Sequence, residues 1–177
     1  PSRGLIGPSQ FISVAEETGM IIPLGAQAMA MATAAAAGWP TGIGVSVNVS
    51  PVQLVSREFG AMVKKALTDS GLPPQLLQLE ITETGVVDDR AIRDLYKLRE
   101  LGVTVALDDF GTGYSSFATL QRLPIDVLKI DRMLVTDSDD PKMSVVKSIV
   151  ELAAALGMKS LAEGVETIEQ FRRVQWV

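Results

Sequence analysis

Apolar runs in this chain repeatedly end in carboxylates or amides. The clearest is Val103-Thr104-Val105-Ala106-Leu107-Asp108-Asp109-Phe110-Gly111-Thr112-Gly113, in which a β-branched run stops at two adjacent aspartates followed by glycines. Neighbouring carboxylates resist joint ionisation, so such a pair is costly unless a cation neutralises it. Comparable ends carry Asn48 (Gly44 to Pro51), Glu80 and Glu83 (Leu76 to Glu83), Lys129 and Asp131 (Ile125 to Asp131), and Glu163 and Glu166 (Met158 to Glu166). The chain contains neither histidine nor cysteine. Oxygen donors without imidazole or thiolate select hard cations such as Mg²⁺ or Mn²⁺ over zinc.

One arrangement has Asn48, Glu80 and Asp108 around one ion, with Asp108 bridging to a second held partly by Asp109. Two ions roughly 3.5–4 Å apart would clamp the attacking and leaving oxygens of a phosphoryl group and activate a water, which is phosphodiester hydrolysis. Lys129 would orient the water or neutralise developing charge, and Glu163 would take a proton or hold a water. Each residue also has a plainer role. Asp108 can end a strand while Asp109 caps a turn; Asn48 before Ser-Pro suits a turn amide; Glu80 and Glu83 can cap a helix; Lys129 can neutralise Asp108 or Asp131. Glu166 can cap the last helix, and Gly111-Thr112-Gly113 is either a phosphate cradle or a plain loop.

The elements that must position these groups alternate. Apolar periodicity predicts helices over about 8–18, 24–37, 56–70, 88–101, 115–121 and 139–156, and one starting at Thr167. Within 88–101, Ile92, Leu95, Tyr96 and Leu98 face inward; within 139–156, Val145, Val146, Ile149, Leu152, Ala153 and Leu156 form the core stripe. Between the helices lie five β-branched runs. Strand-helix units of this kind argue for parallel strands joined by right-handed crossovers. With no Gly-x-Gly-x-x-Gly after the first strand, an α/β (β/α)8 TIM-type barrel fits better than a doubly wound sheet. Chemistry in that fold sits at the C-terminal strand ends, where Asn48, Glu80, Asp108, Asp109, Lys129 and Glu163 all fall.

Composition narrows the function further. The 177 residues are 47% hydrophobic with a net charge of −5, so they can bury a core, and no Lys/Arg block suits a DNA or RNA polymer. Absence of histidine removes Ser-His-Asp hydrolysis, and absence of cysteine removes disulfides and thiol catalysis. The uncharged stretch from Met20 to Gly38 is interrupted by Pro23, Gly25, Gln27 and Thr33 and reads as an Ala-rich packed helix rather than a membrane span. No membrane contact is expected from this segment, and the cysteine-free composition is compatible with a cytoplasmic location. The N-terminus has no secretory pattern, and the chain reads as a fragment of something longer.

The quoted stretches carry a resemblance. Gly4–Gly25 (GLIGPSQFISVAEETGMIIPLG), Val47–Gln53 (VNVSPVQ), Leu79–Glu83 (LEITE), Ala106–Ser116 (ALDDFGTGYSS), Leu128–Arg132 (LKIDR) and Ala162–Glu166 (AEGVE) make the chain resemble the EAL domain, the cyclic-di-GMP phosphodiesterase module of bacterial signalling proteins. The resemblance implies a partial EAL domain over 1–177 with about strands three to seven of the barrel, in which the family's Glu-Ala-Leu signature lies before Pro1. It implies that Asn48, Glu80, Asp108 and Asp109 bind Mg²⁺ or Mn²⁺ at a two-metal site and that Lys129 and Glu163 help activate water. It further implies that Asp131 and Glu166 support the site, that Glu83 braces the loop after Asp109, and that this loop, with Gly111 and Thr112, links dimerisation to activity. The implied reaction is hydrolysis of cyclic-di-GMP to linear pGpG by a homodimer fused to sensory or GGDEF-type domains, the isolated piece being inactive. Two rivals stand beside it: a non-catalytic EAL domain serving as a cyclic-di-GMP receptor or interaction module, and an unrelated Mg²⁺-dependent barrel lyase or isomerase of the enolase type. The latter needs a third carboxylate where this chain has Lys129.

Overall fold

The structure, a computed structural model, describes residues 4, 6–82, 88–111, 117–135 and 140–175. A short helix, α1 (Ile12–Glu17), and a long one, α2 (Ile21–Ala36), lead into strand β1 (Val45–Val49). There follow α3 (Pro51–Leu54), α4 (Phe59–Ser70), β2 (Leu77–Thr82), α5 (Asp89–Glu100), β3 (Thr104–Phe110) and α6 (Phe117–Arg122). The chain continues through β4 (Val127–Ile130), α7 (Arg132–Val135), α8 (Asp140–Ala155), β5 (Lys159–Ala162) and α9 (Ile168–Val174).

All five strands pair in parallel, in the order β1-β2-β3-β4-β5. A doubly wound sheet reverses its strand order part-way, whereas a barrel adds strands in chain order, so this is a (β/α)8-type arc. Eight strands close such a barrel, and the described five form an open part of one. The exposed β5 residues Lys159, Ser160 and Leu161, with Leu161 47% exposed, mark one edge of the arc.

Strand alternation separates the two faces. Leu77, Leu79, Ile81, Val105, Leu107, Leu128 and Ile130 are buried beneath the helices with Val63, Leu95, Leu98, Val146 and Ala153. Ser46, Asn48, Gln78, Glu80, Asp108 and Lys129 occupy the opposite, inner face. Small residues let α2 sit close to α4, and the buried Thr33 Oγ1 lies 3.4 Å from the carbonyl of Ala66.

Helix ends follow their capping residues. Asp88 caps α5 by accepting from the N–H groups of Arg90 (2.6 Å) and Ala91 (3.3 Å), and Gly71 ends α4 with a left-handed φ of 69°. Several boundaries differ from expectation. Helix α2 begins at Ile21 rather than 24, because Pro23 sits in the first turn, where its missing N–H costs nothing. The helix expected over about 56–70 is α4, starting at Phe59, and a separate four-residue helix not expected from the sequence, α3, begins at Pro51 before it. Tyr96 is 42% exposed and Val145 45% exposed, at the borders of their stripes rather than inside. Phe11 and Val14, within the helix expected over 8–18, are exposed as well. Among the described residues no helix is long and apolar enough to cross a membrane.

Candidate metal centre

Lys129, on β4, organises the inner face. Its Nζ donates to Glu80 Oε2 at 2.9 Å, Asp108 Oδ1 at 2.8 Å and Glu163 Oε1 at 2.6 Å, and only 7% of its side chain is exposed. The three acceptors come from β2, β3 and the residue after β5. Burial alone would push the lysine's pKa down, but its hydrogen bonds to Asp108, Glu163 and Glu80 outweigh it and raise the pKa above 10.5. Lys129 is therefore a fixed ammonium at neutral pH. It neutralises Asp108 as the plainer reading had it, together with Glu80 and Glu163 rather than Asp131.

A bulge places the aspartate pair. Leu107 pairs with Leu128 and Phe110 with Ile130, so Asp108 and Asp109 together stand against the single residue Lys129. Asp109 has φ 54°, the one positive φ at a non-glycine position among the described residues. In a regular strand neighbouring side chains point to opposite faces; the left-handed residue turns the second carboxylate back towards the first. One carboxylate oxygen each from Asp108, Asp109 and Glu163 lie within 4.8 Å of one another. The Asp109 pKa is raised above 3.8, first by partial desolvation of a side chain that still reaches solvent, then by the negative fields of Asp108 and Asp131, a hydrogen bond shared with Asp131, and Glu163.

The other expected residues divide. Asn48 is in register with Glu80 on the neighbouring strand, so its exposed side chain shares the face and level of that carboxylate. Asp131 accepts at Oδ1 from the N–H of Met133 at 2.7 Å and backs Asp109. Gly111 has φ 102°, and a Cβ there would come within 2.7 Å of Leu134 Cδ1. Glu166 is exposed at the entry to α9, and its N–H donates to Gln170 Oε1 at 2.7 Å. That helix is capped by Thr167, not by Glu166. Glu83 and Thr112 lie outside the described residues.

Two residues were not anticipated. Gln78 Nε2 donates to Ser46 Oγ at 3.0 Å and to Glu80 Oε1 at 3.3 Å. Both oxygens of Glu80 are thereby engaged, one by an amide below and one by the ammonium. The signal in the sequence was the alternation itself, since Ser46 and Gln78 precede Asn48 and Glu80 by two residues.

The donor set fits a hard divalent cation. One ammonium stands against three contacting carboxylates, with Asp109 alongside, so negative charge is in surplus and all candidate ligand atoms are oxygen.

The EAL domain family profile matches residues 1–176. This chain belongs to the EAL domain family. It is 38% identical over 177 residues to the cyclic di-GMP phosphodiesterase PdeR of Escherichia coli K12, covering 96% of this chain and 27% of PdeR. It is 40% identical to the cyclic di-GMP phosphodiesterase NbdA of Pseudomonas aeruginosa over 178 residues, covering 96% of this chain and 23% of NbdA. Among solved structures, the phosphodiesterase PaMucR in complex with c-di-GMP superposes with a TM-score of 0.91 at 36% identity, over 99% of this chain and 74% of that one. The manganese/cy-diGMP complex of Klebsiella pneumoniae BlrP1 at pH 9.0 gives a TM-score of 0.77 at 33% identity, over 87% of this chain and 41% of BlrP1. The EAL segment thus spans only about a quarter of PdeR and of NbdA.

Proposed function

We propose that the protein containing this EAL domain hydrolyses cyclic-di-GMP to linear pGpG with Mg²⁺ or Mn²⁺ at a two-ion site. The observation that carries the reading is the convergence of Glu80, Asp108 and Glu163 on Lys129, with Asp109 turned towards them by the bulge. Asn48, Glu80, Asp108 and Asp109 would hold the ions. Bound there, divalent ions lower the pKa of a water and neutralise charge on phosphoryl oxygens.

The chain's own groups account for the rest. Glu163 takes the proton of the attacking water as its oxygen bonds to phosphorus. The bond from phosphorus to the ribose 3′ oxygen breaks, and that oxygen takes up a proton from solvent, giving a linear dinucleotide with a 5′ phosphate and a free 3′ hydroxyl. Lys129, held protonated by its three carboxylates, stabilises negative charge rather than acting as a base. Asp131 backs Asp109, Glu166 supports the site, and Glu83 would brace the loop after Asp109, which carries Gly111 and Thr112 and would link dimerisation to activity. In this reading the protein is a cytoplasmic signalling homodimer in which the EAL domain is fused to sensory or GGDEF-type domains. On the same reading the isolated 177-residue piece does not turn over substrate, its five described strands forming an open arc.

The test is hydrolysis of cyclic-di-GMP by the full-length protein and by its Asp108→Ala variant. The reading expects Mn²⁺-dependent release of pGpG by the first and its loss in the second. Unchanged turnover in the variant refutes it, and tight cyclic-di-GMP binding without turnover in the unaltered protein replaces it with a receptor function.

A further inference from the structure

Asn48 sits one residue from the end of β1, which pairs with β2 alone among the described strands, so its placement depends on the turn that follows. That turn is tied down from outside the sheet. Ser50 Oγ donates to Glu16 Oε1, on α1, at 2.6 Å, and accepts from the N–H of Val52 at 3.2 Å. The Ser50 N–H donates in turn to Gln53 Oε1 at 3.2 Å, closing a capping box at the start of α3. Gln53 is 5% exposed and lies so close over Gly25 of α2 that a Cβ there would be 1.8 Å from its Nε2.

The bond from Ser50 to Glu16 is different in kind from the rest. It joins residues 34 apart in the chain, its acceptor is a carboxylate, and its length is that of a charge-assisted O–H···O bond. A four-residue helix such as α3 has little stability of its own to hold its first residue in place. By fixing the Ser50 hydroxyl, Glu16 fixes both the cap of α3 and the chain direction on leaving Asn48.

We propose that Glu16 is a positioning residue for Asn48, acting through Ser50 and setting the affinity of the metal site without touching metal or substrate. The inference rests on the metal-site reading given above. Outer groups that orient metal ligands commonly change affinity by about 10–100-fold when removed, and a residue acting through one ligand at one remove belongs at the low end.

The experiment is Mn²⁺ titration of the full-length protein by calorimetry, alongside thermal melts without metal, for Glu16→Ala, Glu16→Gln, Asn48→Ala and the double variant Glu16→Ala/Asn48→Ala. Glu16→Ala is expected to weaken Mn²⁺ binding about 10-fold. Glu16→Gln, which keeps an acceptor oxygen, should restore affinity to within about 3-fold, a rescue that loss of packing alone would not give. The double variant should bind no more weakly than Asn48→Ala, because Glu16 acts through Asn48. Unaltered affinity in a folded Glu16→Ala protein overturns the proposal, as does an additive loss in the double variant. Should Glu16→Ala not fold, Glu16→Gln binding as weakly as Asn48→Ala overturns it too, and near-normal binding supports it. Asn48→Ala separates the two levels of inference: if it leaves Mn²⁺ affinity intact, the metal-site reading has failed, whereas if it lowers affinity and Glu16→Ala does not, only the role of Glu16 has.

Discussion

Asp109 is the extra residue of a β-bulge whose opposing position is Lys129, so a backbone irregularity and a buried ammonium meet at one point of the β3–β4 ladder. The bulge brings two carboxylates to a face that regular alternation would give only one. Lys129 keeps that concentration of charge tolerable when no metal is bound.

Replacing the ammonium should therefore be costly. Lys129→Met keeps most of the side-chain volume but leaves Glu80, Asp108 and Glu163 without their shared donor. Breaking a buried ion pair from one side costs about 3–5 kcal/mol, and the metal-free variant should unfold at correspondingly lower denaturant. Added Mn²⁺ should raise its midpoint more than that of the unaltered protein, since the cation then supplies the missing charge. Equal metal-free midpoints would show that the ammonium contributes no net stability.

The raised pKa of Asp109 gives a pH dependence with a definite sign. A carboxyl whose folded pKa lies above its unfolded value of 3.8 binds more protons when folded, so its contribution opposes folding increasingly as pH rises. The penalty is absent below pH 3.8 and complete above the folded pKa. Its side chain is exposed, so solvent screens the effect. Asp109→Asn keeps a residue tolerant of positive φ and removes the charge. Without metal, the variant should melt with the unaltered protein at low pH and above it at pH 7. With Mn²⁺ the order at pH 7 should reverse. Melting curves across pH decide it, and a difference that persists unchanged below pH 3.8 would point to backbone relief instead of charge.

Much of the site could be read from the sequence because a strand end has a signature: β-branched residues, then a polar one, then a turn. Asn48, Glu80, Asp108, Lys129 and Glu163 all announced themselves in that way. The bulge did not, since strict alternation sends Asp109 to the face opposite Asp108, and it takes the shifted β3–β4 register and the positive φ to show otherwise. Gln78 and Ser46 also passed unnoticed, as polar residues deep on the inner face resemble ordinary outward positions until the sheet is known to curve. Tyr96 erred the other way. Its spacing fits the buried stripe of α5, yet its ring lies at the border with its hydroxyl 3.4 Å from the Arg122 carbonyl.

Gln78 supplies a second check on the metal site. In Gln78→Leu the apolar bulk is roughly kept, while Glu80 Oε1 and Ser46 Oγ lose their donor. Glu80 is then free to rotate about the one oxygen held by Lys129. Mn²⁺ affinity should fall about 10-fold, the range seen when groups orienting a metal ligand are removed. Titration calorimetry reads this directly, and unchanged affinity would mean that Lys129 alone orients Glu80.

Gly25→Ala sets two effects of opposite sign against each other. In a helix interior alanine is favoured over glycine by about 1 kcal/mol, so at an unobstructed position the change would stabilise α2. Here the new Cβ would lie 1.8 Å from Gln53 Nε2 and 2.4 Å from Gln53 Cδ, and nothing real occupies that distance. Gln53 must swing away, opening the capping box and leaving the Ser50 N–H without its acceptor. Overpacking of this kind costs about 1–3 kcal/mol, which outweighs the helix gain. The variant should therefore be destabilised. In a Gln53→Ala background the obstruction is gone, and the same change should become neutral or stabilising. A denaturation double-mutant cycle measures the coupling, and additivity would mean that Gln53 does not bear on Gly25 in solution.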